Sequence, residues 1–349
     1  MKEHAPRSSN GRPVRRVVAI VVAGIAFYIV LPALTKVISS WPRLLHLDAV
    51  WLLFMLCAEL ASFFCAIALL RLVLRTSQWF SVFAALIVGN AVTNVLPAGD
   101  VAGAGVQYQM LSMGGIDADQ AAGGLAASSI IGLAGLFMLP IFVLPAIVSG
   151  VPVSAGLEHA AYLGIGGFVL IAATSALLMT TDGLLSVIAR TLQWGVNALP
   201  RRHKRTVDLR ERLISQRDLV RADLGQRWWQ AVLLIGGRIG LDYAALLAAL
   251  RATGARPNPS LILLAYAATA VIALVPLTPG GLGIVEASLS GLLVLAKVPS
   301  PAAIVATLAY RLVTYWMPVL VGGGVYIAFR RIYGPVGLGG SIKGSTHDQ

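Results

Sequence analysis

Long apolar runs constrain the fold of this chain more than any other feature of its sequence. Runs of about 18 residues or more predict membrane-spanning helices, and they occur at 17–38, 49–74, 119–148, 159–181, 229–250 and 300–329. Within a bilayer each backbone polar group must be satisfied internally, which a single segment achieves only as a helix. Only 12% of the residues are charged, whereas a soluble domain carries about 25%. The sequence therefore predicts an all-α integral membrane protein with about six full spans.

Two further apolar stretches are interrupted by proline and glycine. The stretch 80–113 breaks at 96–100, and the stretch 260–297 breaks at 276–281. Proline removes a backbone donor and glycine frees φ, so we expect a helix to stop at each break. Most of the flanking pieces are shorter than a crossing of roughly 20 residues. We therefore predict two re-entrant helical hairpins.

The distribution of basic residues predicts the orientation of the chain. Lysine and arginine concentrate in the N-terminal tail, in the loop 182–228, and at Arg330 and Arg331, which marks these segments as cytoplasmic. With the spans above, one hairpin must enter from the cytoplasmic face and the other from the periplasmic face. We expect both termini to be cytoplasmic, in a bacterial inner membrane. The net charge of +12 reflects this topology, and no nucleic-acid partner is expected.

An offset of 182 residues relates the two halves weakly. It maps Pro97 to Pro279, Gly99 to Gly281, Leu111 to Leu293, Ala121 to Ala303 and Ala127 to Ala309. Combined with the opposite orientations, this pattern predicts an inverted repeat. Paired broken helices in inverted repeats are typical of transporters, and the breaks indicate the substrate site.

These patterns also predict the domain organisation. A cytoplasmic tail, 1–16, precedes a single membrane domain, 17–332, and a disordered tail, 333–349, follows. The membrane domain comprises repeats at about 17–150 and 159–332, with a cytoplasmic amphipathic and basic loop at 182–228.

Ionisable residues inside predicted spans are costly and indicate functional sites; here they are Glu59, Asp100, Arg238, Asp242, Glu286 and Arg311. Arg238 and Asp242 lie four residues apart on one helix face, so they either neutralise each other or bind substrate. Glu59 is either a proton carrier or the partner of an arginine on another helix, and we expect the partner role.

The charges beside the breaks suggest an anion site. Asp100 suits capping of the helix that follows it, whereas Glu286 stands too far beyond Gly280 and Gly281 for capping to be expected. The amides of a half-helix N-terminus bind anions, and with Arg311 or Arg238 nearby a phosphate could be held there.

Two structural expectations accompany this hypothesis. Arg311 has no acidic neighbour three or four residues away, so its charge must be compensated by Glu286, by Glu59 or by the substrate, unless it is merely packed among aromatic rings. Gly99 and Gly281 are predicted to have backbone conformations that a β-branched residue cannot adopt without strain.

Catalytic and metal-binding motifs are absent from the sequence. It contains no GxSxG, HExxH or P-loop pattern, so we expect no enzymatic activity, no cofactor and no metal. Cys57 and Cys65 are separated by roughly 12 Å along one predicted helix, too far for a disulfide.

Three segments carry a family resemblance: 94–100, 276–286 and 310–318. Through them the chain resembles the lysylphosphatidylglycerol synthase transmembrane-domain family, also called flippase-like, over about 17–332. The resemblance implies movement between leaflets of aminoacylated phosphatidylglycerol or of polyprenyl-phosphate-linked lipids. The soluble aminoacyl-transferase domain of the family's two-part enzymes is expected to be absent.

The sequence thus favours a translocator of an anionic, phosphate-bearing lipid, with a membrane lipid as its ligand. One alternative is a non-transporting subunit that scaffolds a lipid- or glycan-synthesis enzyme. Another is a membrane-embedded lipid-modifying enzyme that uses Glu59 or Glu286 as a base.

Overall fold

In a computed structural model of the protein, the described residues are 47–96, 99–138, 209–274, 278–334 and 336, with isolated positions at 166, 169 and 173. They form helices, and no strand occurs in these ranges. The α-helices are α1 (Ala49–Leu74), α2 (Trp79–Val95), α3 (Gly99–Met113), α4 (Ala118–Met138), α5 (Leu209–Ala252), α6 (Pro259–Ala273), α7 (Ile284–Leu295), α8 (Ser300–Arg311) and α9 (Met317–Tyr333).

Among the described residues, three helical segments are long and apolar enough to cross a membrane: Ala49–Leu74, Arg227–Ala252 and Ser300–Tyr333. They confirm the predicted spans at 49–74, 229–250 and 300–329. The predicted spans 17–38 and 159–181, and the end of 119–148, lie outside the described residues. The protein is an all-α membrane protein.

The surface of these helices is apolar and part of their interior is polar. Leu53, Leu233 and Leu320 are 62%, 64% and 74% exposed, while Glu59 and Thr307 are buried. A soluble protein shows the opposite arrangement, with charged side chains outside and few contiguous apolar patches. The exposed leucines are therefore suited to contact with lipid.

Both predicted breaks are present. Helix α2 ends at Val95, and Leu96 has an extended backbone (φ −93°, ψ 141°), as expected for the residue that precedes a proline. The second stretch stops at Ala273 and resumes as α7 at Ile284, with a single 3₁₀ turn, Pro279–Gly281, between them.

The two glycines singled out by the sequence are needed for different reasons. Gly281 has φ 71°, a left-handed conformation that confirms the expected strain for a β-branched residue. Gly99 also cannot accept a β-branched residue, as predicted, but close packing is the reason. A Cβ at Gly99 would lie 2.0 Å from the backbone oxygen of Thr93, because the two arms of the first hairpin approach closely.

The two hairpins enter the molecule from opposite ends. The backbone N–H of Asp48, just before α1, donates to the carbonyl of Ala252 at the end of α5 (3.2 Å), so these helices run antiparallel. Helix α2 begins beside the C-terminus of α1, where the Arg71 guanidinium lies 3.6 Å from the ring centroid of Trp79. Helix α6 begins beside the C-terminus of α5, at the other end. This arrangement matches the predicted inverted repeat.

The offset of 182 also relates backbone geometry in the two halves. Gly115 and Lys297 stand at equivalent positions, after α3 and α7, and both have positive φ (88° and 67°). Three backbone hydrogen bonds, each from an N–H to a C=O, recur around both residues. In the first turn residues 114, 115 and 116 donate to residues 110, 112 and 111. In the second turn residues 296, 297 and 298 donate to residues 292, 294 and 293. The weak sequence repeat is thus a structural repeat.

Two boundaries differ from the prediction. Helix α5 begins at Leu209, inside the predicted polar loop 182–228, because Leu, Arg, Glu and Gln favour helix even where they are too polar to span a membrane. The predicted span 300–329 contains a π-helical segment at Leu312–Trp316 between α8 and α9. Such π segments are frequent at functional sites.

Candidate functional site

A cavity of about 700 Å³ lies between α1, α5 and the broken ends of the hairpins. Its wall contains most of the charged and glycine residues singled out by the sequence, namely Glu59, Asp100, Arg238, Gly280, Gly281 and Arg311. Glu286 does not line it. Residues separated by more than 250 positions are therefore brought to one site, as expected when paired breaks form a substrate site.

The two breaks are in contact at one side of this cavity. The side-chain amide of Asn94, at the end of α2, donates to the Tyr315 carbonyl (3.2 Å), and the Tyr315 hydroxyl donates to the Asn94 carbonyl (2.7 Å). Gly280 lies between them, since a Cβ there would come within 2.4 Å of the Tyr315 ring and 3.0 Å of Asn94 Cα. The π segment and both breaks thus form one contact.

Arg311 holds the second break in place. Its Nε donates to Glu286 Oε1 at 2.7 Å, its Nη2 donates to the Gly280 carbonyl at 2.9 Å, and its guanidinium lies 4.7 Å from the Tyr315 ring centroid. Glu286 is one of the partners that the sequence predicts for Arg311. These contacts connect α8 to both the 3₁₀ turn and α7.

Glu286 is also a helix cap, which corrects the sequence expectation. Its Oε2 accepts a hydrogen bond from the backbone N–H of Gly283 at 2.5 Å. Helix α7 starts only at Ile284, after the left-handed Gly283 (φ 84°), so Glu286 is in its first turn. A carboxylate in this position satisfies an otherwise unpaired amide and interacts favourably with the helix dipole. One carboxylate therefore both caps α7 and binds Arg311.

Asp100 lies in the first turn of α3, where its charge suits the helix dipole. Its side chain is exposed and lines the cavity. The sequence predicts that Asp100 lies at the start of this helix, and the structure leaves its carboxylate accessible from the cavity.

Asp242 has partners that the sequence does not indicate. Its Oδ2 accepts from the Tyr266 hydroxyl at 2.5 Å and its Oδ1 from the Tyr310 hydroxyl at 2.7 Å. The ion pair with Arg238, one of the two alternatives that the sequence leaves open, is not formed; the carboxylate is held instead by tyrosines of α6 and α8. Of the two tyrosines, only Tyr310 could have been singled out from the sequence, because it directly precedes Arg311.

Arg238 has no ion pair among the described residues. Its backbone carbonyl accepts a hydrogen bond from Ser62 Oγ at 3.0 Å, and its Nη1 lies 3.8 Å from the position of a Cβ at Gly132. The side chain lines the cavity. An arginine inside a membrane helix is costly without a counter-charge, and the described residues provide none within ion-pair distance.

Glu59 is 4% exposed and makes no ion pair in the described part of the chain, although Arg238 of another helix lines the same cavity. Its Oε2 has no hydrogen-bond donor there. Ser62, one turn after Glu59 on α1, donates to the Arg238 carbonyl of α5, and Asp242 lines the same cavity as Glu59 and Arg238. The structure therefore brings Glu59, Asp242 and Arg238 together on the cavity wall.

Comparison with known proteins gives two matches. Residues 16–322 match the family model described as the lysylphosphatidylglycerol synthase TM region. The chain is also similar to the UPF0104 membrane protein PH1989 of Pyrococcus horikoshii, with 32% identity over 71 residues. That alignment covers 20% of this chain and 21% of the relative, so the similarity spans about a fifth of each protein.

Proposed function

Since the chain belongs to the lysylphosphatidylglycerol synthase transmembrane-region family, we propose that it moves an anionic, phosphate-bearing lipid across a bacterial inner membrane. Aminoacylated phosphatidylglycerol and polyprenyl-phosphate-linked lipids are the substrate classes considered. In this proposal both termini face the cytoplasm.

The observation that carries the proposal is the guanidinium of Arg238, which makes no ion pair among the described residues and lies on the wall of a membrane-embedded cavity. A lipid phosphate would be its direct binding partner. Guanidinium binds phosphate through two parallel N–H donors. Arg311, whose Nε and Nη2 are engaged by Glu286 and Gly280, adds a second positive charge to the same cavity.

The size and chemistry of the cavity suit a lipid headgroup. Pockets for small molecules typically enclose about 300–1,000 Å³, and this cavity encloses about 700 Å³. Its wall also contains Phe63, Leu133 and Leu136, which can contact the first carbons of an acyl or prenyl chain. Charged and apolar surfaces thus adjoin, as an amphipathic ligand requires.

The inverted hairpins provide a way to move such a ligand. Inverted repeats commonly work by rocking one half against the other around a fixed site. Here the two breaks meet through Asn94, Gly280 and Tyr315. If the two halves separate first toward the cytoplasm and then toward the periplasm around this contact, the cavity opens to each leaflet in turn.

The test is translocation of fluorescent phosphatidylglycerol by purified protein in liposomes, read from the fraction accessible to an external quencher. Arg238→Gln should move the lipid at least about tenfold more slowly, since a hydrogen bond to a charged group is worth about 1.5–3 kcal/mol. Arg256→Gln is the matched control, because Arg256 is exposed in the turn after α5.

A scaffold for a lipid- or glycan-synthesis enzyme would behave differently. Liposomes with wild-type protein would then resemble protein-free liposomes, and Arg238→Gln would have no effect. Translocation that is equal for phosphatidylglycerol and for a zwitterionic lipid would argue against recognition of an anion.

A further inference from the structure

Glu59 is a buried carboxyl whose hydrogen-bonding capacity is unmet. It is 4% exposed on α1, and its Oε2 accepts no hydrogen bond among the described residues. A buried ionised carboxylate without donors costs several kcal/mol, so such a group binds a proton or a cation instead. Anchoring of the hairpin does not involve this residue, which lines the same cavity as Arg238.

The neighbour of Glu59 cannot supply a proton. Both oxygens of Asp242 accept from tyrosine hydroxyls, Oδ2 from Tyr266 and Oδ1 from Tyr310. Each hydroxyl has one proton, which is already donated. An ionised carboxylate only accepts hydrogen bonds. Glu59 and Asp242 line one cavity where α1 packs against α5, and two carboxyls that share a site do not readily ionise together, which favours one proton held between them.

The charged group nearest to this pair is Arg238. From the elements packed around Glu59, the titratable or charged groups that face it are Asp242 and Arg238 of α5, Tyr266 of α6 and Tyr310 of α8. With one shared proton the carboxyl pair has one negative charge, which balances Arg238. Without it the pair has two, and the three groups together repel an anion.

We propose that the Glu59–Asp242 pair binds one exchangeable proton and that this proton is transported together with the lipid phosphate. The inference rests on the proposed function. The proton comes from water on one side of the membrane, is held between the two carboxyls while phosphate occupies Arg238, and is released to water on the other side. Because binding linkage is reciprocal, the proton favours phosphate and phosphate favours the proton.

A proton fits this site better than a metal cation. Hard cations such as Ca²⁺ take six or more oxygen ligands, and the Asp242 oxygens are already engaged by O–H donors. The described part of the chain contains no group of three or more His, Cys, Asp or Glu residues that could hold a metal ion.

The position of the pair also suits coupling between the two halves of the molecule. Glu59 belongs to the first repeat and Asp242 to the second, 183 positions later, one more than the repeat offset of 182. They face each other where the antiparallel helices α1 and α5 pack. A proton shared between the repeats is therefore sensitive to their relative movement.

The experiment uses full-length protein in liposomes that contain fluorescent phosphatidylglycerol and an internal pH dye. An imposed pH gradient should accelerate lipid movement toward the less acidic side by at least about fivefold, a typical lower value for coupling between sites. Lipid movement should also acidify that compartment. Glu59→Gln keeps shape but cannot exchange a proton, so lipid should move at the rate without a gradient and no pH change should follow.

Asp48→Asn is the matched control, because it makes the same change at the N-cap of α1, where asparagine caps equally well. It should retain the full response to the gradient. Wild-type protein that moves no lipid would refute the proposed function. Lipid movement that ignores the pH gradient, or follows a sodium gradient instead, would overturn only the proton coupling.

A second measurement does not depend on transport or on Glu59→Gln being well folded. The infrared spectrum of purified wild-type protein near neutral pH should contain a carbonyl band from a protonated carboxyl group. The band should disappear in Glu59→Gln or, if that variant is not recovered, in Asp242→Asn, and should persist in Asp48→Asn. A spectrum without such a band in the wild-type protein would overturn the proposal.

Discussion

Two groups of charged residues each place an arginine on the wall of one cavity but differ in how fully their charges are satisfied. In the tip cluster, which comprises Arg311, Glu286 and the Gly280 carbonyl, the Glu286 carboxylate binds both Arg311 and a backbone amide. In the helix-pair cluster, which comprises Glu59, Asp242 and Arg238, the arginine lacks an ion pair and a glutamate oxygen lacks a donor among the described residues. The first arrangement stabilises a fold, and the second is able to bind ligands.

The clusters also differ in their origin along the chain. Glu286 and Arg311 are 25 residues apart and both belong to the second repeat, so the tip cluster can form when the second hairpin packs on α8. Glu59 and Asp242 come from different repeats, so the helix-pair cluster exists only when α1 packs against α5. We infer that the tip cluster keeps its geometry while the helix-pair cluster responds to movement of the repeats.

The largest effect is expected from Gly280→Val in the tip cluster. Gly280 has φ 53°, and a Cβ would lie 2.4 Å from the Tyr315 ring. The left-handed backbone costs about 1–2 kcal/mol for other residues, and overpacking adds about 1–3 kcal/mol. Yield of monodisperse protein in detergent should therefore fall sharply, whereas Gly291→Val in α7, with nothing within 4 Å, should be tolerated apart from a smaller loss of helix propensity. Equal yields would mean that the break need not keep this geometry.

Arg311→Ala should have the next largest effect on stability. Removing one partner of a buried pair costs about 3–5 kcal/mol, and the partial exposure of these side chains (14% and 20%) reduces the expectation to about 2–4 kcal/mol. Thermal denaturation in detergent measures it. If the two residues act as a unit, Glu286→Ala should lower the stability of the Arg311→Ala variant by less than it lowers the stability of the wild-type protein. Wild-type stability in Arg311→Ala would argue that this arginine serves only the ligand.

Arg238→Met should show the opposite behaviour in the helix-pair cluster. Arg238 is exposed to the cavity and makes no ion pair among the described residues, so an apolar side chain of similar length should leave the melting temperature about the same. Lipid translocation should nevertheless fall at least about tenfold. A destabilisation comparable to that of Arg311→Ala would show that Arg238 is structural, which would remove the contrast between the clusters.

The smallest perturbation tests the inverted arrangement itself. Ala118 and Ser300 are exposed, stand 182 positions apart, and begin α4 and α8. Single cysteines at these positions, in a background without Cys57 and Cys65, should leave stability unchanged. An impermeant thiol reagent should label Ala118→Cys only from the cytoplasm and Ser300→Cys only from the periplasm. Labelling of both from one side would refute the opposite entry of the hairpins.

Local chemistry made several features predictable. Proline combined with glycine favours a helix break, so both breaks were evident, and apolar runs long enough to cross a bilayer must be helical. The need of Arg311 for a partner followed from the cost of an unpaired charge. The cap of α7 was harder to predict from the sequence. The residue at which α7 begins depends on the left-handed Gly283, and a shift of a few residues decides whether Glu286 can cap the helix.

The sequence by itself determined the membrane class, the broken helices and the 182-residue repeat, because each follows from composition or spacing within one segment or between two. The tertiary structure decided which charges are satisfied. Tyr266 and Tyr310 take both oxygens of Asp242, and they reach it from helices that packing alone brings together. Arg238 makes no ion pair with Asp242, four residues away on the same helix, which spacing along one helix leaves open and only the packed fold sets.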